Sequence, residues 1–408
     1  MTALLPVDEA IARVVAGVAA MDAETVPLAD AAGRTLAEPL AARRTQPPFP
    51  ASAMDGYAVR AADVAAPPAR LRLIGASVAG KGFAGTVGRS EAVRIFTGAP
   101  VPEGADAVLI QENAETPEPA VVVAKAGVTP GRNIRPAGFD FRAGDQLLDA
   151  GRVFGAREIA ITAAMGYGAV PVRRRPRVAI ISTGDELVPP GTEPGPDQIV
   201  ASNGPGIAAF ARAHGADAHD LGIVRDDRAD LAAAIDRAIA LPADILVTLG
   251  GASVGDHDLV APALADRGMQ LDFWRIAMRP GKPLLSGRIA RRDGEPDLRV
   301  LGLPGNPVSG LVCAILFLGP LVGAFLGHPA TDPTEPAVLA VDVPANDSRQ
   351  DYVRATLVQA DRLPLVTPLP VQDSSGLAVL AKADCLLVRP PNAPAAKAGD
   401  PCRIIRLR

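Results

Sequence analysis

The most regular hydrophobic pattern of this chain lies between residues 177 and 327. Short apolar runs alternate there with segments of helical spacing; the runs are RVAIIST (177–183), AHDLGIVR (218–225) and DILVTLGG (244–251). The spacing predicts one helix over 203–214, capped by Asn203 and ended by Gly215, and another over 230–240. Such alternation predicts a parallel sheet with helices on both faces and ligands at the carboxyl ends of its strands.

The flanking regions have different patterns. Residues 7–21 carry apolar side chains at helical spacing and predict an amphipathic helix. Residues 43–140 combine short β-branched runs with many Gly and Pro, which predicts a small β domain. Residues 141–170 predict a short strand, a turn at Gly151 and a helix, and we expect this segment to pack with the first helix.

The whole chain is therefore expected to be an α/β multidomain protein. A doubly wound domain should span 171–327, and a small β-rich domain 43–140. Residues 1–42 and 141–170 should together form an elongated domain of helix and strand. Short strands separated by turn signals predict a C-terminal β-barrel or sandwich over 328–408. A length of 408 residues agrees with several separate cores.

Composition removes several functional classes. Hydrophobic residues form 48% of the chain and charged residues 21%, which is typical of a globular protein. A net charge of -4 provides no general attraction for a polyanion, so we expect no nucleic-acid partner. The scattered cysteines and histidines include no CxxC pair, so neither structural zinc nor disulfides are expected. The first residues lack the pattern of a signal peptide, and a cytoplasmic location is expected.

One segment, residues 307–327, is uncharged and long enough to cross a membrane. It directly follows the buried-strand pattern RVLGLPG, lacks Lys and Arg anchors nearby, and contains Pro320. We therefore expect a buried core helix and no membrane partner.

Acidic residues follow two of the predicted strands. Asp185 and Glu186 come directly after RVAIIST, where they could bind a ligand or simply cap a helix. The second strand leads into ASVGDHD (252–258), in which glycines beside Ser253 allow backbone N–H groups to approach a phosphate. Asp256 and Asp258 could hold the Mg²⁺ that phosphates bring, although a Gly-rich turn before a helix cap is the simpler alternative.

Cationic and proline-rich segments complete this picture. The turn at 304–307, PGNP, precedes the apolar helix and could hold an oxyanion on its unpaired N–H groups. Arg275, Arg279 and Lys282 place three positive charges within eight residues of a largely apolar stretch. Because burial of unpaired charge is costly, this arrangement favours anion binding over a solvated face.

The predicted β domain contributes weaker candidates. Asp55 lies beside Gly56 in a proline-rich loop and alone would be an ordinary turn residue. Arg135 and Asp140 share the loop at 133–144, where spacing does not distinguish a surface ion pair from a substrate clamp.

Eight motifs in order along the chain resemble the MoeA family of molybdopterin molybdenumtransferases: PASAMDGYAVRAAD, FTGAPVPEGAD, NIRPAGFDFRAGD, ISTGDEL, SNGPGIAA, GGASVGDHD, RIAMRPGKP and LPGNPVS. That family is similar to the E domain of gephyrin, an animal protein that is also a receptor scaffold. The resemblance implies an elongated homodimer whose α/β domain binds molybdopterin and resembles the molybdopterin-adenylyltransferase fold. It also implies that residues 1–42 with 141–170 dimerise and that the active site is shared across the dimer interface.

The resemblance also implies roles for single residues. Catalytic roles fall on Asp55, Asp140, Glu186 and Asp258. Substrate binding is expected of Thr97, Arg135, Asp226, Arg275, Arg279, Lys282, Pro304, Pro307 and Ser374. The loop residues themselves add Ser253 as a further substrate-binding candidate and Asp256, with Glu186 and Asp258, as a candidate Mg²⁺ ligand. Arg275 and Arg279 stand where Lys is frequent in the family, and Asp373 stands where Gly is common, which makes the role of Ser374 less certain.

The implied reaction joins adenylylated molybdopterin and molybdate, requires Mg²⁺ and releases AMP. The soft ligands for molybdenum would be the dithiolene sulfurs of the pterin, which agrees with the lack of a Cys/His cluster. Other enzymes of molybdenum cofactor biosynthesis are further candidate partners. An adenylyltransferase would need only the α/β domain and usually a GGTG-type loop, whereas this chain has GGASVG. A scaffold like gephyrin would have an extra N-terminal domain and a long linker.

Overall fold

The computed structural model describes residues 4–251, 259–291 and 295–407. Its internal contacts divide the chain into a first unit, Met1–Glu24 with Arg173–Arg408, and a second unit, Thr25–Val172. The helices are Val7–Val15 (α1), Ala156–Ala164 (α2), Asn203–Ala213 (α3), Arg228–Ala240 (α4), Val260–Ala265 (α5), Pro307–Cys313 (α6), Gly319–Phe325 (α7) and Leu377–Lys382 (α8). A π-helical segment, Ala314–Leu318, joins α6 to α7. Short 3₁₀ helices lie at Leu28–Asp30, Ala61–Val64 and Gln111–Asn113.

The second unit contains a mixed sheet and several short strand pairs. The strands up to residue 173 are Ala23–Pro27 (β1), Leu40–Ala41 (β2), Ala51–Ser52 (β3), Gly56–Val59 (β4), Ala69–Ser77 (β5), Glu91–Ile95 (β6), Ala107–Ile110 (β7), Ala114–Glu118 (β8), Val121–Ala124 (β9), Ile134–Arg135 (β10), Gln146–Leu148 (β11) and Ala169–Arg173 (β12). The sheet has the order β7-β4-β6-β5-β9-β8. Strands β1 and β12 contain the points where the chain enters and leaves this unit.

The β-branched runs of the second unit form strands as expected. Strands β5, β6, β7 and β9 coincide with β-branched runs of residues 43–140, and their alternating side chains fill apolar clusters on the two faces of the sheet. Gly56 begins β4 where a Cβ atom would lie 2.0 Å from the carbonyl oxygen of Leu109. The tight pairing of β4 with β7 therefore requires glycine directly after Asp55.

The order of elements within residues 141–170 also follows the sequence expectation. Strand β11 is followed by Gly151 in a left-handed conformation, with φ of 83°, and then by α2. Phe141, Phe154 and Met165 bury their side chains in a separate apolar cluster together with residues of the segment 31–42.

The first unit is built around one twisted α/β sheet. Its strands are Arg177–Thr183 (β13), Leu187–Val188 (β14), Ile199–Val200 (β15), Asp217–Val224 (β16), Ile245–Leu249 (β17), Met269–Trp274 (β18), Met278–Arg279 (β19), Leu285–Ile289 (β20) and Leu298–Leu303 (β21). The sheet has the order β16-β13-β17-β21-β20-β18. Strands β16, β13, β17 and β21 run parallel, whereas β20 is antiparallel to both of its neighbours. The expectation of a purely parallel sheet is therefore wrong at this edge, because the segments on either side of β20 are too short for a crossover helix.

Helices cover both faces of this sheet. Val178 and Ile180 of β13 belong to one apolar cluster, which includes α3, α6 and α7, and Ala179 and Ile181 belong to the opposite cluster, which includes α4 and α5. Burial on both faces explains why the strands read as continuous apolar runs. The doubly wound arrangement is confirmed.

Two helix ends differ from the sequence expectation. The cap of α3 is Ser202 rather than Asn203, because the Asn203 amide donates instead to the carbonyl oxygen of Gly305. Helix α4 begins at Arg228, earlier than expected, because Asp227 accepts hydrogen bonds from the first backbone N–H groups. Gly215, with φ of 93°, follows the end of α3 as predicted.

The first helix is shorter than expected and packs elsewhere. Helix α1 ends at Val15, and Gly17 then adopts φ of 67°, so the prediction of a helix to Met21 is wrong. The buried side of α1, including Val7 and Val14, joins the apolar cluster that contains α7. It packs against α7 and the adjoining π-helical segment rather than with residues 141–170, because that cluster provides a large apolar surface.

The uncharged helical segment Pro307–Phe325 is long and apolar enough to cross a membrane, with a mean hydropathy of 2.2. The protein itself buries 72% of that window. Phe317, Leu321 and Phe325 belong to the main apolar cluster of the first unit. The segment therefore forms the interior of the α/β domain, as the sequence indicated.

The C-terminal part is a small barrel. Its strands are Thr334–Leu339 (β22), Gln350–Val358 (β23), Leu365–Pro368 (β24), Cys385–Arg389 (β25) and Pro401–Arg406 (β26). The order β23-β24-β22-β26-β25 closes because β25 also pairs with β23. Strand β19 of the α/β domain pairs in parallel with β23. The sequence predicted the barrel but neither β24 nor α8.

Candidate active site

A cleft of about 820 Å³ lies at the carboxyl ends of the parallel strands. Its lining includes Ser182 to Gly184 at the end of β13, Leu249 to Gly251 at the end of β17, and the turn at 304–307, which follows β21. The first two segments touch at Gly250, which has φ of 95° and whose Cβ would lie 2.7 Å from the carbonyl oxygen of Thr183. The cleft therefore lies where doubly wound sheets bind ligands.

A second cavity of about 640 Å³ adjoins this cleft. The two share Ser182, Gly184, Leu187 and Ala201, and the second extends toward Asp220 on the edge strand β16. Ser182 is only 4% exposed and lines both cavities. The two cavities together provide space for an extended ligand.

One wall of the cleft is acidic. Gly184 has φ of 148°, and a Cβ atom there would lie 2.5 Å from Oε2 of Glu186, so the Glu186 carboxylate lies over the glycine. Asp226 faces the same wall, and its backbone N–H donates to Asp185 over 3.2 Å. Burial and then the negative charges of Asp185 and Glu186 raise the pKa of Asp226 above its usual range. The wall is thus an electrostatically unfavourable group of carboxylates.

The other predicted Mg²⁺ ligands are not described. Ser253, Asp256 and Asp258 lie in residues 252–258, outside the described part of the chain. Gly251 and Leu259, on either side of that segment, both line the cleft. Within the described residues, no group of three His, Cys, Asp or Glu side chains is arranged to hold a metal ion. Metal binding by Glu186, Asp256 and Asp258 remains a prediction.

The turn at 304–307 is fastened from two sides. The Asn203 amide donates to the Gly305 carbonyl oxygen over 2.7 Å. The Asn306 amide donates to the Ser374 hydroxyl over 3.0 Å, and the Val308 N–H donates to the Ser374 carbonyl oxygen over 3.1 Å. Pro307 has no N–H group, so the start of α6 offers fewer free donors to an oxyanion than the sequence suggested. Pro304 and Pro307 line the cleft, and Ser374 is bonded to Asn306 and Val308 on either side of Pro307.

The three predicted cations have different surroundings. The guanidinium of Arg279 forms a two-pronged ion pair with Asp351, with Nε 2.9 Å from Oδ1 and Nη2 bonded to Oδ2. By contrast, the side chains of Arg275 and Lys282 are exposed, and neither forms an ion pair with any other described residue. Arg275 has φ of 83°, a conformation that is unusual for a non-glycine residue. Pro283, which follows Lys282, lines the cleft.

Asp55 and Thr97 meet in the second unit. Both the backbone N–H and the hydroxyl of Thr97 donate to Oδ1 of Asp55, over 2.7 Å and 2.8 Å. These two hydrogen bonds, with a smaller contribution from the charge of Arg94, lower the pKa of Asp55. The Arg94 guanidinium lies 5.0 Å from the ring centre of Tyr57 and 4.9 Å from that of Phe96. Sequence reasoning missed Arg94, because its stacking partners are brought together by the pairing of β4 with β6.

Arg135 and Asp140 do not form the ion pair that was one of the two alternatives. Both side chains are exposed, and among the described residues no salt bridge joins them. Strand β10 pairs with β3, which places Arg135 opposite Ala51, four residues before Asp55. The Asp140 N–H donates to the carbonyl oxygen of Gln46.

Arg354 is a second residue that sequence reasoning missed. It is 2% exposed, and its Nη2 donates to the carbonyl oxygen of Asp373, next to Ser374. Burial lowers its pKa, although the nearby charges of Asp373 and Asp351 oppose this effect. The sequence does contain a signal for Arg354. Side chains alternate between the two faces of β23, and in YVRAT this alternation places the arginine at an inward position.

Three family models together match most of the chain. They are described as MoeA N-terminal region (domain I and II), matching residues 5–166, probable molybdopterin binding domain, matching 179–324, and MoeA C-terminal region (domain IV), matching 336–407. The fold and cleft thus define a multidomain protein with a molybdopterin-binding type of α/β domain.

Individual relatives lead to the same family. A molybdopterin molybdenumtransferase of Nostoc sp. is 38% identical over 378 residues, covering 90% of this chain and 85% of the relative. One from Bacillus subtilis is 33% identical and covers 99% and 94%. A solved MoeA structure from Pyrococcus horikoshii matches with a TM-score of 0.82 and 31% identity over 100% of both chains. The chain belongs to the MoeA family of molybdopterin molybdenumtransferases.

Proposed function

We propose that this enzyme inserts molybdate into adenylylated molybdopterin and releases AMP in a reaction that requires Mg²⁺. The observation that carries the proposal is the cleft. It has an acidic wall with Glu186 and Asp226, and beside its lining residue Pro283 lies Lys282, which forms no ion pair with the described residues. The relatives are named for molybdenum transfer to molybdopterin, which supports the reaction class. The adjoining cavities support an extended substrate with a pterin and a nucleotide part.

The acidic wall supports the proposal of a divalent cation, to which residues 252–258 would add ligands. The pKa of Asp226 is raised by burial and by two neighbouring negative charges, which a bound cation would offset. Carboxylate oxygens are also the hard ligands that Mg²⁺ prefers. Glu186, with Asp256 and Asp258, would hold the ion. When bound, it would neutralise charge on the pyrophosphate of the substrate.

The remaining proposed residues bind and orient the two anionic reactants. Lys282 and Arg275 would attract molybdate and reduce its repulsion from the phosphates. The turn with Pro304 and Pro307, held by Ser374, would give one end of the cleft a rigid shape. Ser253 would contact a phosphate through the Gly-rich segment.

The second unit contributes another group of proposed functional residues. Asp55, kept ionised by Thr97, and the exposed Arg135 and Asp140 are suited to contact with polar substrate groups. We further propose that the enzyme is a cytoplasmic homodimer. Light scattering on the purified protein would test the homodimer, since the mass of one chain is 41.8 kDa.

The experiment is a single-turnover assay with adenylylated molybdopterin, molybdate and Mg²⁺, in which free AMP and molybdenum bound to the pterin are both measured. We expect both products from the wild-type chain. Asp258→Ala should abolish AMP release, which corresponds to a rate loss of roughly 10²-fold or more for a group acting on developing charge. Glu193→Gln removes an exposed carboxylate from a loop and is the matched control.

Three outcomes would contradict the proposal. They are normal turnover by Asp258→Ala with its fold intact, molybdenum transfer by the wild type without AMP release, and full activity when Mg²⁺ has been removed by a chelator.

A further inference from the structure

We propose that Arg279 is a positioning residue in this chain, fastening the loop at 275–284 to the barrel so that Lys282 is presented to the cleft. On this view Arg279 does not contact the oxyanion itself. The consequence for turnover rests on the function proposed above, whereas the structural part of the proposal does not.

The first argument is that the α/β domain and the barrel are joined by strand pairing at Arg279. Strand β19 places Arg279 directly opposite Asp351 on β23, and the Gln350 N–H donates to the Ala277 carbonyl oxygen over 2.8 Å. The Asp351 side chain is only 14% exposed and receives both prongs of the guanidinium. Such two-pronged pairs are stronger and more directional than ordinary surface ion pairs.

The second argument is that carboxylates already surround the guanidinium. Besides Asp351, Asp347 lies 3.5 Å from Nη1, and Asn346 Oδ1 lies 3.4 Å from Nη2. The hydrogen bonds to Asp351, together with the charges of Asp351 and Asp347, raise the pKa of Arg279 above its usual range. An incoming oxyanion would meet two negative charges at the same guanidinium, which is an unfavourable place for it to bind.

The third argument is that the loop has a second fixed point close to the cleft. Gly281 has φ of 108°, and a Cβ atom there would lie 2.6 Å from the sulfur of Cys313 in α6. The Ile276 N–H donates to the Lys282 carbonyl oxygen over 3.0 Å. Lys282 follows Gly281 directly, so the backbone position of Lys282 depends on how this loop is held. Small displacements of substrate-binding groups are costly for catalysis.

The test compares Arg279→Gln, Asp351→Asn and the double variant in the full-length protein. If Arg279 acts through Asp351, each single variant should lower kcat/KM for molybdate by a similar factor, roughly 10-fold, and the double variant should be no worse than either. The loss should appear mainly as a higher KM for molybdate, because Lys282 is displaced rather than removed. Glu335→Gln, which breaks an exposed pair with Arg406 inside the barrel, is the matched control and should change neither constant.

Direct binding by Arg279 predicts a different result. Arg279→Gln would then lose activity, whereas Asp351→Asn would keep it or improve it, since the guanidinium would be released for the oxyanion. That pattern would overturn the proposal.

Hydrogen exchange separates this proposal from the proposed function. The amides of Ile276 and Gln350 should lose protection in both Arg279→Gln and Asp351→Asn, and keep it in Glu335→Gln. Unchanged protection in the first two variants would overturn the proposal. A wild-type chain that transfers no molybdenum would refute the proposed function, and the exchange data would still decide whether the ion pair holds the loop.

Discussion

Asp226 and Asp55 are carboxylates from the two units with opposite electrostatic surroundings. Asp55 accepts two hydrogen bonds from Thr97, and its pKa is lowered. Asp226 lies beside Asp185 and Glu186, and its pKa is raised, chiefly by burial. The charge on Asp55 is stabilised by hydrogen bonds within the protein, whereas burial and two neighbouring carboxylates disfavour the charge on Asp226. Carboxylates whose environments shift their pKa values apart are typical of functional sites.

The largest effect is expected from Gly184→Ala, which acts on the acidic wall without removing a charge. The new methyl group would lie 2.5 Å from Oε2 of Glu186, so the flexible carboxylate must move away. If Glu186 has the proposed catalytic role, its displacement should lower kcat by about 10²-fold. A rapid-quench assay of AMP release would measure this loss.

Gly268→Ala is the control for backbone strain. Gly268 also has a positive φ, 79°, but no atom lies within 4 Å of its added Cβ position. It should reduce stability slightly and leave kcat unchanged. Equal losses of kcat in both variants would mean that strain, rather than displacement of Glu186, causes the effect.

An intermediate effect is expected from Asp226→Asn. Removal of one charge from the wall should raise the Mg²⁺ concentration for half-maximal activity by roughly 10-fold. Because the pKa of Asp226 is raised in the folded state, its ionisation opposes folding at neutral pH. The variant should therefore have a higher Tm, by on the order of 1 °C at pH 7.

The sign of this pH effect can be followed by scanning calorimetry. Below the unfolded pKa of Asp226 the group is protonated in both states, so the Tm advantage of the variant should disappear as the pH falls. Asp361→Asn removes an exposed carboxylate on the barrel and should show neither effect. A lower Tm for Asp226→Asn at pH 7 would contradict this prediction, because it would show that the ionised aspartate stabilises the folded protein.

The smallest effect is expected from Thr97→Val, which removes the side-chain hydrogen bond to Asp55 but keeps the backbone one. The pKa of Asp55 should rise, so ionisation of Asp55 would begin at a higher pH. The lowered pKa in the wild type contributes stability above the unfolded pKa, which is lost as the pH falls through the folded pKa. A carbon-detected NMR titration of Asp55 would measure the shift.

Thr97→Ser keeps the hydroxyl donor and should titrate like the wild type. An unchanged Asp55 pKa in Thr97→Val would mean that the hydroxyl does not stabilise the charge.

The sequence predicted much of the fold because its signals were local. The runs that became β13 and β17 are apolar throughout, since both of their faces are buried, and Gly215 marked the end of α3. The antiparallel β20 was missed, because strand direction depends on the connections and on pairing between distant segments. The length of α1 was also overestimated, and its packing partner was wrong.

The site was predicted in part for the same reason. Glu186 and the turn at 304–307 line one cleft because each follows a parallel strand, and such strands share a carboxyl edge. The sequence did not indicate that the Asn203 amide donates to the Gly305 carbonyl oxygen instead of capping its helix. Nor did it indicate that the Val308 N–H donates to the carbonyl oxygen of Ser374 in a loop of the barrel. Such hydrogen bonds join residues that are tens of positions apart in the sequence, so a local sequence pattern cannot predict them.

The sequence by itself determined the doubly wound core, the β-rich domains and the residue types available for the chemistry, because periodicity and turn residues act over a few positions. Only the tertiary structure decided which charges are satisfied. It paired Arg279 with Asp351, gave Asp55 its Thr97 donors and left Lys282 without an ion pair among the described residues. The reason is that the energy of a charge depends on every neighbour within a few ångströms, and the fold brings those neighbours together from distant parts of the chain.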